Sequence, residues 1–158
     1  MIDLEPFAVP PVLYFDLAEE DRLYTLLFLE FGHHGRHYLR WHVANLSGAL
    51  LLQGMTYMDG DTALDYLPPV PRSSSTDVDD AADDDADDDD VDGQPARYGF
   101  YLYEQVYGTI YLPTPAGSSD DRFDLDAWIG AIYREGALCG PVASIGFGAY
   151  ASQPVTAS

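Results

Sequence analysis

Two runs that meet at a turn constrain this fold most. Residues 22–31, RLYTLLFLEF, are almost wholly apolar. A run this short suits a buried strand or a piece of buried helix equally well. The sequel decides between them. Gly32-His33-His34-Gly35 is a turn signal, and residues 36–45, RHYLRWHVAN, then alternate. In an extended chain Leu39, Trp41 and Val43 fall on one side, and Tyr38, Arg40 and His42 on the other. The expectation is a β-hairpin with one buried face.

The same reading carries on along the chain. Asn45-Leu46-Ser47-Gly48 reads as a second turn and Ala49–Gln53 as a third strand stopped by Gly54, which makes a meander. Asp59-Gly60 is another turn, after which Asp61 or Thr62 is placed to cap a short helical turn through Leu67. Pro68, Pro69 and Pro71 end that segment. Residues 98–112, YGFYLYEQVYGTIYL, hold six aromatics and read as strands 98–104 and 106–112. Pro113–Ser119 is a loop. In 123–135, a helix capped by Asp124 or Asp126 would put Trp128, Ile129, Ile132 and Tyr133 on one stripe. A strand over 127–134 competes, and the adopted reading is a short Asp-capped turn running into a strand. Pro6, Pro10 and Pro11 forbid a regular helix in residues 1–15. That segment reads as an extended arm of the kind that packs on a neighbouring subunit.

The expected fold class is mainly β: a small antiparallel β-sandwich or barrel-like meander with at most one or two short helices and a long acidic loop. The expected organisation is an arm over 1–15, one β-rich domain over 16–140 and an extended tail over 141–158. Residues 140–158 contain no basic or acidic side chain, and Ile145, Phe147 and Tyr150 are candidates to anchor that tail on a partner. The insert 72–97 cannot bury apolar surface and reads as a mobile loop.

Within the insert, eleven of the sixteen residues 77–92 are aspartate. The chain has no lysine; all seven basic residues are arginine, and the formal net charge is −20. The acidity extends beyond the insert. A lysine-free acidic surface is the style of proteins from extremely salt-loving archaea. Short carboxylates hold water and cations in molar salt, and a Debye length of ~3 Å at 1 M screens their repulsion. The competing reading is an ordinary acidic protein of a GC-rich mesophile. Phosphate binding needs clustered Lys/Arg, so no sequence-specific nucleic-acid partner is expected. An anionic membrane is disfavoured for the same reason. The first fifteen residues lack a basic region and carry an early acid, so they do not read as a signal peptide. No apolar run approaches the ~20 residues of a membrane span.

No residue set carries convincing chemistry. His33, His34, His37 and His42 fall within ten residues. Imidazole is a common metal ligand, but a hairpin puts His33 and His34 at its tip and His42 well down the strand, with no Cys or Glu in support. His33, His34 and His37 are the metal candidates, and solvated turn histidines are the simpler reading. Asp88, Asp90 and Asp92 begin a D-x-D-x-D-G pattern, but the twelfth position, where a calcium loop needs a bidentate Glu, is Gly99. Diffuse binding of Na⁺, K⁺, Mg²⁺ or Ca²⁺ is expected there, with no other cofactor. Cys139 has no activating neighbour in sequence and cannot form an intrachain disulfide. Gly146-Phe147-Gly148 is no dinucleotide fingerprint. Capping and solvation account for Asp124, Asp126 and Glu135 as well as paired-carboxylate chemistry would.

The segments LYTLLFLEF, HYLRWHVAN, LSGALLLQG and TALDYL, then GTIYLPTPAGSSDD and FDLDAWIGAIY, resemble in order the small baseplate or tail-hub (plug-like) proteins of tailed viruses. The likeness lies in hydrophobic pattern and turns and spans about half of the chain. The Asp insert and the long tail after residue 136 depart from it. The resemblance implies a non-enzymatic, β-rich tail component that oligomerises with other virion proteins, assembled in the cytoplasm of a salt-loving host. It carries no catalytic residue. Tyr38, Trp41, Tyr101, Tyr103, Tyr107, Phe147 and Tyr150 are the expected interface residues, since aromatic rings bring large area at low rotamer cost. The alternatives are a free-standing cytoplasmic β-barrel module with an aromatic ligand pocket and a metal-dependent enzyme using the histidines.

Overall fold

The structure, a computed structural model, describes residues 7–31, 37–56, 58–69, 96–110, 127–128, 130 and 138–149. The fold is mainly β, as expected. Five antiparallel strands, β1 (Leu23–Phe31), β2 (His37–Ser47), β3 (Asp61–Leu64), β4 (Ala96–Gln105) and β5 (Leu138–Ala149), form one open sheet in the order β3-β2-β1-β4-β5. One short helix, α1 (Gly48–Gln53), follows β2.

β1 is central and buried on both faces from Tyr24 to Glu30, which is why its sequence is a continuous apolar run and not an alternating one. Tyr24, Leu26 and Phe28 enter a first core with Trp41, Val43, Leu46, Leu51, Met55, Tyr98, Phe100 and Leu102. Leu27 and Leu29 enter a second core on the opposite face with Leu39, Tyr103 and Leu138. Phe28 is the centre of an aromatic stack, 4.2 Å from Phe100, 5.6 Å from Tyr66 and 5.9 Å from Tyr98 between ring centroids.

The hairpin is as expected, but its single buried face is not. β2 carries two bulges. Phe28 pairs with Trp41 while Leu29 pairs with Leu39, so Arg40 is an extra residue. An extra residue reverses the facing of everything beyond it. Leu39 therefore joins the second core while Trp41 and Val43 stay in the first. The other irregularity lies between Tyr24 and Leu26, opposite Asn45, whose φ is +55°. It keeps Val43 and Leu46 on the same face.

Four further expectations are corrected. Ala49–Gln53 is helical rather than a strand. Ser47 is an N-cap whose Oγ accepts from Ala49 N at 3.2 Å, and no β-branched residue interrupts GALLLQ. Gly54, at φ +102°, ends the helix. Residues 61–64 are strand rather than a capped helical turn. The Asp61 carboxylate accepts from Asn45 Nδ2 at 2.7 Å, and Thr62 and Leu64 pair with Val43 and His42. The strand expected over 106–112 is a turn over its described part. Gly108 there has φ +81°, and its carbonyl accepts from Gln105 Nε2 at 2.9 Å. In the 123–135 segment, Ala127, Trp128 and Gly130 are helical where a strand was expected; the rest lies outside the described residues. β5 carries the chain as far as residue 149 into the sheet.

The arm lies on its own chain. Leu13 and Met55 exchange backbone hydrogen bonds (3.2 and 2.8 Å), and Phe15 N donates to Leu51 O at 3.0 Å. The Tyr66 hydroxyl donates to Phe7 O at 2.8 Å, and the Phe7 ring stacks on Phe147 at 4.6 Å.

Candidate functional site

Two polar clusters within the sheet are the first places to look for chemistry. Gln105, Asn45 and Thr25 form a closed network. Thr25 Oγ1 and Asn45 N both donate to Gln105 Oε1 at 2.8 Å, and Gln105 Nε2 donates to Asn45 Oδ1 at 2.7 Å. Asn45 Nδ2 donates to Ile110 O at 3.0 Å, and Asn45 Oδ1 accepts from Ile110 N at 2.9 Å. The groups here serve each other and lock the Asn45 bulge to the turn after β4. The second cluster is the buried Glu30 carboxylate with Arg40, whose Nε and Nη2 both donate to Glu30 Oε2. Arg40 Nη1 reaches Pro68 O at 3.1 Å, and Arg40 O accepts from Leu67 N at 2.7 Å. The extra residue of the bulge thus clamps the segment after β3. Neighbouring Tyr66 has its pKa pushed up to about 12 by burial, against the opposing pull of the Arg40 charge. Both clusters do structural work.

The histidines do not converge. His33 and His34 lie outside the described residues. His37 stands edge-on to Phe31 at 5.0 Å with its Nδ1 buried and unpartnered. His42 is fully buried, edge-on to Trp128 at 5.4 Å, and among the described residues neither ring nitrogen has a hydrogen-bond partner. Burial lowers its pKa to about 4. Among the described residues no group of three or more His, Cys, Asp or Glu is placed to hold a metal ion. Asp88, Asp90 and Asp92 lie outside the described residues, and Cys139 is exposed on β5.

The expected interface residues divide. Trp41 and Tyr103 are core residues with only 1% and 2% of their surface exposed, so neither ring is available to a second molecule. They lie on buried faces because β2 and β4 flank a strand covered on both sides. Tyr38, Tyr101 and Phe147 are half-buried. Tyr101 stands edge-on to Phe31 at 5.9 Å. Tyr107 is 74% exposed in the turn after β4. Tyr150 lies outside the described residues.

What the structure does present is a set of aliphatic and aromatic side chains turned to solvent. Along the arm, Phe7, Leu13 and Phe15 pack on the first core, while Val9, Val12 and Tyr14, and Leu17 just beyond the arm, are largely exposed. Val106 and Tyr107 project from the turn after β4, and Val142 and Ile145 from β5. Single exposed apolar residues are ordinary. Three on the described part of the arm, residues 7–15, with a fourth at Leu17 just beyond it, are more than a chain this acidic would be expected to expose by chance. The outward residues of the arm were not singled out from sequence, though its prolines marked it as extended. No helix among the described residues is long and apolar enough to cross a membrane.

No protein-family model matches the chain, and no curated protein sequence matches it.

Proposed function

We propose that this chain is a non-enzymatic structural protein, a tail or baseplate component of a virus infecting a salt-loving archaeal host. The observation that carries the reading is the arm. It is tied to α1, Met55 and Tyr66 through Phe15, Leu13 and Phe7, yet leaves Val9, Val12 and Tyr14, and Leu17 just beyond it, largely exposed. Such side chains gain ~25 cal/mol for each Å² of apolar surface that a neighbour covers. The lysine-free charge of −20 supports a working medium of molar salt, where repulsion between such chains is screened and apolar contact decides association. The order of apolar and turn segments that resembles plug-like tail proteins supports the particle setting.

The rival reading, a free-standing ligand-binding β-module, needs aromatic rings that line a pocket. The rings of the first core instead stack on one another: Phe28, Phe100, Tyr98, Tyr66 and Phe147 sit at centroid distances of 4.2 to 6.2 Å. Co-expression with the proteins encoded beside it, followed by sedimentation in molar KCl, tests the proposal. A stable complex with tail-type neighbours is expected. A chain that ignores them and binds a small metabolite as a monomer contradicts it.

A further inference from the structure

The sheet has two edges, and they are built differently. β3 is four residues long, with exposed carboxylates at Asp61 and at Asp65 just beyond it. Short length and charge are the usual means by which proteins keep an edge from pairing with another chain. β5 is twelve residues long and contains no charged side chain. Its irregularity, between the pairings of Leu102 and Glu104, and its proline, Pro141, both lie toward its start. From Ala143 to Ala149 its register with β4 is unbroken, and among the described residues no strand lies outside it. That stretch has the length of an ordinary strand, ~5–6 residues or slightly more, and among the described residues no charge, proline or bulge guards it.

The side chains on this edge carry a second signal. Ala143, Ile145 and Phe147 pair with Leu102, Phe100 and Tyr98, all members of the first core. Ala143 and Phe147 pack on that core, but Ile145 between them is 63% exposed. On the other face stand Ser144, Gly146 and Gly148. An added Cβ at Gly146 would meet nothing nearer than Tyr98 O at 3.5 Å.

We propose that the 143–149 edge of β5 pairs with the same edge of a second copy, antiparallel about a two-fold axis at Gly146, joining two five-stranded sheets into one. The occupant follows from charge. Two chains of net charge −20 repel wherever acidic surfaces meet, and this uncharged strip is where they approach at least electrostatic cost. A basic partner would seek the acidic surface instead. The strip also complements itself, as a two-fold interface requires. With the axis at Gly146, Ile145 of each copy lies beside Phe147 of the other and extends the first core across the junction. Backbone pairing supplies the rest of the contact. Since what opposes the contact is like-charge repulsion, added salt strengthens it. The inference supplies the assembly reading with one defined contact and rests on that reading for its biological use, while its test reads the contact alone.

The test is the solution mass of the full chain by light scattering in dilute buffer and in about 1 M KCl, where the Debye length is ~3 Å. Twice 17.4 kDa is expected in salt, with dissociation as salt is removed. Ile145→Lys puts a charge at an exposed position and should return the mass to 17.4 kDa with an unchanged circular dichroism spectrum. Gly146→Cys, in a Cys139→Ser background, should form an interchain disulfide under mild oxidation, because facing residues of an antiparallel pair lie within disulfide reach. A wild-type monomer in salt overturns the inference. So does a dimer that Ile145→Lys leaves intact and Gly146→Cys fails to cross-link, in which case the chain assembles through another surface and the structural role stands.

Discussion

His42 offers a way to test the buried architecture through pH. The residue sits on β2 between Leu27 of β1 and Leu64 of β3, fully buried and without a hydrogen-bond partner at either nitrogen among the described residues. Burial disfavours the imidazolium and lowers the pKa from 6.5 to about 4. The depressed base is neutral in the folded chain, while the unfolded chain takes up a proton near pH 6.5. Between those values the unfolded state binds more protons, so stability falls as pH falls. The contribution is complete above pH 6.5 and is used up as pH approaches about 4. At ~1.4 kcal/mol per pH unit, the full loss is about 3 kcal/mol. Other groups add their own pH dependence to unfolding, so the test is a difference. His42→Leu keeps an apolar side chain of similar bulk and cannot protonate. Urea unfolding in molar KCl, followed by tryptophan fluorescence, would be measured for both proteins from pH 7 down to about 4.5. The variant should equal or exceed the wild type by about 1 kcal/mol at pH 7, because two orphaned nitrogens are removed. Its advantage should then grow by roughly 2–3 kcal/mol by pH 4.5. A difference that stays constant with pH would refute the reasoning and place His42 in contact with water or a partner.

Arg40→Met should cost about 3–5 kcal/mol in urea unfolding, since it strips the guanidinium from a buried Glu30 carboxylate and releases Pro68; the double change with Glu30→Leu should recover much of that loss. Gly48→Ala should unfold the protein or cost well over ~2 kcal/mol, because its Cβ would lie 1.8 Å from Glu19 O; a melting temperature within a degree or two of wild type would contradict the close approach of the 19–22 turn to α1. Deleting residues 77–92 should leave the far-ultraviolet circular dichroism spectrum unchanged in molar salt, because β3 ends at Leu64 and β4 starts at Ala96; loss of the folded state would show that the acidic run takes part in the fold.

The apolar run Leu23–Phe31 and its turn were enough to foresee the hairpin, and the aromatic stretch after residue 96 foretold β4. The two bulges were not legible. Alternation predicts facing only while pairing is regular, and nothing in RHYLRWHVAN marks Arg40 as the residue that slips out. Its role emerges only with Glu30 and Pro68 in place. The helix at Gly48–Gln53 was legible in principle: Ser47 caps it, and its leucines favour helix more than strand. The meander pattern on either side outweighed that local signal. Asp61 looked like a helix cap because its partner, Asn45, is sixteen residues away and known only from the fold. The interface residues divided for a similar reason. Tyr and Trp serve cores and contacts alike, and their burial depends on which strand becomes central. With β1 in the middle, Trp41 and Tyr103 turn inward, and the exposed apolar surface falls to residues on the arm, turns and β5, such as Val12, Tyr107 and Ile145.

The most direct test of the structural role is location. Virus particles purified from a salt-loving host on a density gradient in molar salt, with tails separated from heads, would be probed for this chain by an antibody and by mass spectrometry. The account predicts the chain in the tail fraction, in fixed proportion to the other tail proteins. A chain found free in the cytoplasm and missing from every particle fraction would contradict it.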